Sequence, residues 1–244
     1  MMSGTSFSIG DLFLPHTFAL ERDYFIAYKP PGMHTARLDN SPDNTLFDWA
    51  CGQFPEIAEL PGRKEGEGGL LHRLDYETQG LVLFARTRTG MESLLEQQKK
   101  GKLFKEYSAL TAKYEKALPG FPAEKPESPI KSAFRPYGPG RKAVRPVVHE
   151  GQEVGRQYTT KILETRSLAL GITVFRLGIS TGFRHQIRSH LAWLRLPILN
   201  DRLYGGCPYG KGFLGLRAIS LSFIDPGTGK EQTYSILPLD PGDV

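Results

Sequence analysis

With 244 residues and a net charge of +5, the chain can bury a sizeable core as one large domain or two small ones, and its basic balance favours polyanionic partners. No apolar stretch reaches the length of a bilayer span, and Met1 to Ser6 has neither a basic n-region nor an apolar h-region, so neither membrane insertion nor secretion is expected. The two cysteines, Cys51 and Cys207, offer no metal-ligand spacing and no disulfide framework, which fits a reducing, cytoplasmic compartment.

Phe25-Ile26-Ala27-Tyr28 reads as a short strand, ended by Pro30-Pro31-Gly32 because proline cannot donate to a ladder. Asn44 to Phe54 reads as a helix with Leu46, Trp49, Ala50 and Phe54 on one face, and Pro55 as its stop. Arg63 to Gly69 is a charged, glycine-rich loop. It leads into His72-Arg73-Leu74-Asp75-Tyr76-Glu77-Thr78-Gln79-Gly80 and then Leu81 to Ala85, an apolar run of strand length. Asp75 therefore sits on a loop entering a buried strand. An aspartate there can be a turn-former or cap, or a catalytic carboxylate on a fixed platform.

Thr89-Gly90-Met91-Glu92 has the form of a capping box opening a helix. Lys99 and Lys100 suit its C-terminal dipole, and Gly101 its stop. Phe104 to Lys113 reads as a strand. Pro119 to Pro146 is rich in Pro, Gly and charge and reads as a basic loop insertion with short extended pieces such as Ile130 to Phe134. From Lys131 to His149 there is no acidic residue, although Lys131, Arg135, Arg141, Lys142 and Arg145 are present. Mixed surfaces normally intersperse the two signs, so this stretch is a candidate phosphate-contacting face.

Tyr158 to Leu163 and Leu168 to Leu177 read as strands joined by a turn near Glu164 to Ser167. Thr181 to Leu194 reads as a helix whose Ile187, Leu191 and Leu194 face the core, with Pro197 beyond its end. Ile219, Leu221 and Phe223 alternate as a strand, and Pro226-Gly227-Thr228-Gly229 turns into Tyr234 to Leu237. Many strands, few helices and no βαβ rhythm indicate an α+β fold with a largely antiparallel, mixed central sheet and flanking helices and loops.

Four segments together resemble the RluA family of RNA pseudouridine synthases. His72 to Arg86 is similar to its H-R-L-D-x-x-T-S-G-L-L-L-F-A-K signature. Lys29-Pro30-Pro31-Gly32 resembles its K-P-x-G motif, and Lys105-Glu106-Tyr107-Ser108-Ala109 its K-x-Y-x-A segment. Thr181 to Leu191 resembles T-G-R-T-H-Q-I-R-x-H-L, with Leu196 to Asp201 and Tyr204-Gly205 matching the P-I-x-G-D-x-x-Y-G tail. The resemblance implies the pseudouridine synthase fold over residues 21–240, with residues 1–20 as an N-terminal extension and 119–146 as the basic loop insertion. Only some twenty residues precede the first motif, so recognition is expected from the catalytic domain without a separate S4-type domain.

The implied activity is isomerisation of uridine to pseudouridine in structured RNA, ribosomal or transfer RNA, without metal or organic cofactor and by a monomer. The implied catalytic residues are Asp75 as carboxylate, Tyr107 for stacking or for removing the C5 proton, and Arg188 as the guanidinium that keeps the carboxylate ionised. Arg73, His72, Arg184, His185, Gln186 and Lys105 are the implied substrate-binding residues, with Arg73 placed to fill the space an extruded base leaves. Two positions depart from the motif: Gln79 stands where Ser is common, and Phe183 where the family has Arg. The competing readings are a non-catalytic RNA-binding protein on the same scaffold and a nucleoside-processing hydrolase with an Asp nucleophile.

Overall fold

The computed structural model describes residues 13–37, 44–62, 67–148 and 155–244. The first twelve residues of the expected extension, residues 63–66 of the loop before Asp75, and His149 lie outside them. The chain divides into two compact units, Met1–Gln97 with Ile224–Gln232, and Gln98–Phe223 with Thr233–Val244.

In the first unit, β1 (His16–Leu20), β2 (Tyr24–Lys29) and β3 (Gln79–Ala85) run antiparallel in that order. Every residue of β2 and β3 is buried. Both faces are covered, so the strands read as continuous apolar runs rather than alternating ones. β1 lies within the stretch expected as an extension. Its side chains are only partly covered and its register with β2 shifts between Thr17 and Ala19, so it carries no clean period.

Helix α1 (Leu46–Gln53) opens on a capping box made by Thr45 and Asp48. Of the expected face, Leu46 and Ala50 are buried and Trp49 and Phe54 half-buried, and Phe47 joins them in the core. Pro55 opens a further 3₁₀ turn, Pro55–Glu59, that buries Ile57. Helix α2 (Arg88–Lys99) is capped by Thr87 rather than Thr89. The Thr87 hydroxyl accepts from the Gly90 amide at 3.1 Å and donates to Asp23 at 2.7 Å. Gln97 then brackets Ile224, donating to its carbonyl and accepting from its amide at 2.7 Å each.

The second unit contains β4 (Phe104–Ala112), β5 (Ile130–Tyr137), β6 (Ala143–Val147), β7 (Tyr158–Ser167), β8 (Ile172–Ile179) and all but the last residue of β9 (Leu216–Ile224). They are ordered β9-β4-β8-β7-β5-β6, with β10 (Glu231–Ser235) beside β9. The pairs β4–β8, β4–β9, β7–β8, β5–β7 and β5–β6 are antiparallel. Two apolar clusters anchor it. One gathers Leu110, Ile172, Val174 and Leu199 with the C-terminal Leu239 and Val244. The other packs Phe121, Ile130 and Ala143 against Ala192, Trp193 and Tyr204.

Three expectations for this unit change. The basic loop insertion contains the β5–β6 hairpin, with Arg135 opposite Arg145. Ile130, Ala133, Val144 and Val147 are buried while the cations stay outside, so the strands are real although prolines, glycines and charges dominate the composition. The turn between β7 and β8 falls at Ala169–Gly171, where Leu170 and Gly171 have φ of 60° and 71°, instead of at 164–167. Helix α3 spans only Gln186–Trp193, because His185 at its N-cap is left-handed (φ 54°) and cannot extend it backwards.

Candidate active site

The Asp75 loop is fixed by backbone groups on both sides of the carboxylate. Thr35, itself buried, donates its hydroxyl to the Leu74 carbonyl at 2.8 Å and accepts from the Leu74 amide at 3.0 Å. On the other side the Gly32 amide donates to the Tyr76 carbonyl at 3.0 Å, and the Thr78 amide closes a turn onto the Asp75 carbonyl at 3.1 Å. Gly32 has φ +75°, a conformation a side chain strains, so the K-P-x-G glycine is required by the turn that reaches Tyr76. Asp75 is left half-buried at the crest of this loop.

Lys29, at the end of β2, is fully buried beneath the same loop. Its ammonium donates to the carbonyls of Met33 at 2.8 Å, Pro30 at 2.9 Å and Tyr76 at 3.2 Å. Burial lowers its pKa to about 7, and the negative charge of Asp75 opposes that fall. Three carbonyls match the three N–H groups of an ammonium; a neutral amine has only two to offer. The geometry thus supplies a positive charge next to the carboxylate from within the first unit. Sequence reasoning gave Lys29 no role. The available signals were its place as the first letter of the K-P-x-G motif and its position as a single lysine closing an otherwise apolar strand.

His72 is buried and its Nε2 accepts from the Leu83 amide at 3.2 Å, which ties the loop to β3. Arg73 points the other way. Its side chain is 47% exposed and its Nη1 lies 3.2 Å from the buried Glu67 carboxylate. Gln79 accepts from the Tyr28 hydroxyl at 2.7 Å, so the residue that replaces the family's Ser serves the packing of β2 on β3.

The remaining expected site residues are in the second unit. Lys105 and Tyr107, two apart on β4, share one face of the strand and are both buried. The β9 register shifts between Glu106 and Tyr107. An added Cβ at Gly182 would lie 3.9 Å from Lys105 Nζ, which places the β8–α3 loop over the lysine's head.

Arg188 is 2% exposed and meets Asp201, whose side chain has no exposure, in a bidentate pair: Nε–Oδ2 at 2.7 Å and Nη2–Oδ1 at 2.8 Å. Its guanidinium also lies 5.6 Å from the centre of the Tyr204 ring. Asp201 is held in turn by the turn after it, whose Gly206 amide donates to the Asp201 carbonyl at 2.8 Å. A Cβ on Gly206 would come within 1.8 Å of the Ile198 carbonyl, so no other residue fits. Asp201 appears in the sequence only as a letter of a motif; its ion pair with Arg188 is a product of the fold.

Gln186 is also buried. It donates to the Thr159 carbonyl and Thr160 hydroxyl at 3.0 Å each, and accepts from the Phe183 amide at 3.1 Å. Both ends of its amide are thereby committed to protein groups. His185 Nδ1 is 3.3 Å from the Tyr204 hydroxyl, and its pKa is lowered to about 4 by burial and by the charges of Arg188 and Arg184, against a pull upward from Asp201. Arg184 is exposed and donates through Nη2 to the carbonyls of Arg141 at 2.9 Å and Ala143 at 3.3 Å, bracing the β5–β6 turn.

His190 is wholly buried between Ser132 Oγ (2.9 Å) and Thr160 Oγ1 (2.8 Å), and burial lowers its pKa to about 3. The unfolded chain takes a proton on this ring near pH 6.5 and the folded chain does not. Stability from this group is therefore complete above pH 6.5 and is lost as pH falls towards 3. His190→Asn should flatten the fall in urea midpoint across the acid range by one proton's worth, about 1.4 kcal/mol per pH unit. An unchanged slope would show that the ring is protonated in the fold.

Among the described residues, no group of three His, Cys, Asp or Glu side chains could hold a metal ion. No described helix is long and apolar enough to cross a membrane.

A model of the RNA pseudouridylate synthase family matches residues 23–193. Ribosomal large subunit pseudouridine synthase D of Vibrio parahaemolyticus is 28% identical over 226 residues, 87% of this chain and 63% of that protein. The protein of the same name from Escherichia coli is 30% identical over 190 residues, 77% of this chain and 52% of the relative. This chain thus spans less than two thirds of either. The solved structure of human RNA pseudouridylate synthase domain containing 1 covers 97% of this chain and 86% of its own, at a TM-score of 0.62 and 22% identity, a likeness of fold. The family match covers both the Asp75 loop and the Arg188 helix, so the chain belongs to the RluA family of RNA pseudouridylate synthases and has their α+β fold.

Proposed function

We propose that this chain isomerises particular uridines of a structured RNA to pseudouridine, with Asp75 as the catalytic carboxylate. The observation that carries the reading is the Asp75 loop itself: a half-buried carboxylate, clamped through the backbone of both its neighbours, with the buried Lys29 charge beneath it. The reaction detaches uracil from C1′, turns it and rejoins it through C5. It needs an ionised carboxylate as nucleophile or base and exclusion of water while the base is loose.

We assign Tyr107 to the uracil ring, for stacking or for removing the C5 proton, and Arg188 to the charge that accompanies the carboxylate chemistry, both from their places in the family motifs. Asp201 is the group that positions Arg188. Lys105, Arg184 and His185 remain candidates for RNA contact. His72 and Gln186 are positioning residues, because His72 Nε2 serves the Leu83 amide and both ends of the Gln186 amide serve protein groups. The relatives are named for the large ribosomal subunit, which favours ribosomal over transfer RNA as substrate. The free Cys51 and Cys207 fit a reducing, cytoplasmic setting. Mapping pseudouridines by carbodiimide primer extension, with and without the gene, tests the target. A carbodiimide stop in large-subunit RNA that disappears with the gene is expected; stops only in transfer RNA would move the substrate.

Arg73→Ala should impair base extrusion more than chemistry. Arg73 is exposed and held by one carboxylate, so it can leave Glu67 and enter a vacated base stack. Extruding a paired base costs a few kcal/mol. Single-turnover rates should therefore fall most on an RNA whose target uridine is stacked and least on one where it is already loose. Equal losses on both would place Arg73 in the chemical step or the fold.

A further inference from the structure

The position where this chain departs most from the family motif, Phe183, is part of an aromatic group on the second unit that the proposed chemistry does not use. Phe183 stacks on Phe134 of β5 with ring centres 5.1 Å apart and planes 5° from parallel. Tyr158, at the start of β7, lies 5.0 Å from Phe183 and 6.0 Å from Phe134. The Arg156 guanidinium covers Tyr158 at 5.5 Å from the ring centre.

These rings are not core. Phe183 is 38% exposed, and Phe134 and Tyr158 are half-buried. Beneath them the structure is rigid. His190 lies 5.0 Å under Phe134 and is held by Ser132 and Thr160, while Gln186 holds the Phe183 amide. Cations lie beside the rings in the chain: Arg156 is two residues before Tyr158, Arg184 follows Phe183, and 128–148 and 165–200, which carry Phe134 and Phe183, contain no Asp or Glu.

An exposed, pre-ordered aromatic surface in an arginine-bearing setting is what an unpaired nucleotide requires: a flat face for the base and cations for its phosphates. We infer that Phe183, Phe134 and Tyr158 form a stacking platform for an unpaired base of the RNA, flanked by Arg156 and Arg184 at the phosphates. The inference rests on the proposed RNA substrate and adds to it a requirement for a single-stranded nucleotide in the same RNA. Phe183 stands where the family motif has Arg, so in this chain the position offers a ring face and no charge.

The test uses the intact protein and a stem-loop RNA with 5-iodouridine at successive loop positions. Irradiation should cross-link one position to Phe183, Phe134 or Tyr158, as mapped by mass spectrometry of the peptide. Phe183→Leu should weaken binding roughly 5- to 150-fold, and Phe183→Tyr should restore most of it. Because stacking releases no counterions, the log-affinity against log-salt line should drop without changing slope. Cross-links confined to other residues would overturn the inference, as would a Phe183→Leu affinity within twofold of wild type. A changed salt slope in Phe183→Leu would also overturn it, since the site would then act through charge. Pseudouridine formation by the wild-type protein is scored on the same RNA. Its absence with cross-links present would refute the catalytic reading alone; its presence without them would refute the platform alone.

Discussion

Asp75→Asn should abolish turnover and leave RNA affinity largely intact. The amide is nearly isosteric, and the backbone bonds of Leu74, Asp75 and Tyr76 that hold the loop do not involve the carboxylate, so they survive the substitution. What disappears is the charge, and with it the ability to act as nucleophile or base. Loss of such a group commonly costs about three orders of magnitude or more in rate. Tritium release from RNA carrying 5-³H-uridine reports the step directly. Release within tenfold of wild type would remove Asp75 from the mechanism.

The second large effect is structural. Asp201→Ala leaves the Arg188 guanidinium buried at 2% exposure with both bonds to its carboxylate gone. A buried charge stripped of its partner typically costs about 3–5 kcal/mol, since desolvation is no longer compensated. The Leu203 amide, which donates to Asp201 at 3.2 Å, also loses its acceptor. The urea midpoint should fall accordingly. Asp201→Asn, which keeps an acceptor oxygen but loses the charge, should fall less. A loss under about 1 kcal/mol in the alanine variant would mean that water or another group reaches Arg188.

Legibility in the sequence followed the range of the interaction. β2 and β3 were readable because burial on both faces leaves an unbroken apolar run that no local feature contradicts. The β5–β6 hairpin was readable only as an extended piece at Ile130 to Phe134. Its buried residues are mostly small, and Pro136, Pro139 and Pro146 with the surrounding cations suggest a loop until Val144 is seen held by Tyr204 and Ser189. Helix α3 was read too long at its start because the left-handed turn at His185 leaves no mark in the apolar spacing. The motifs located Asp75, Tyr107 and Arg188 as letters. The roles of Lys29 under the Asp75 loop, of Asp201 against Arg188 and of Gln186 across to β7 depend on contacts between residues far apart in the chain, which no local pattern encodes.

The most direct test is the product itself. The purified protein is incubated with a ribosomal RNA transcript, the RNA is digested to nucleosides, and the digest is separated by chromatography beside the undigested supernatant. Pseudouridine should appear in the digest, depend on Asp75, and be accompanied by no free uracil. Uracil in the supernatant would mark a hydrolase, and binding without pseudouridine a non-catalytic RNA-binding protein; either result would contradict the account.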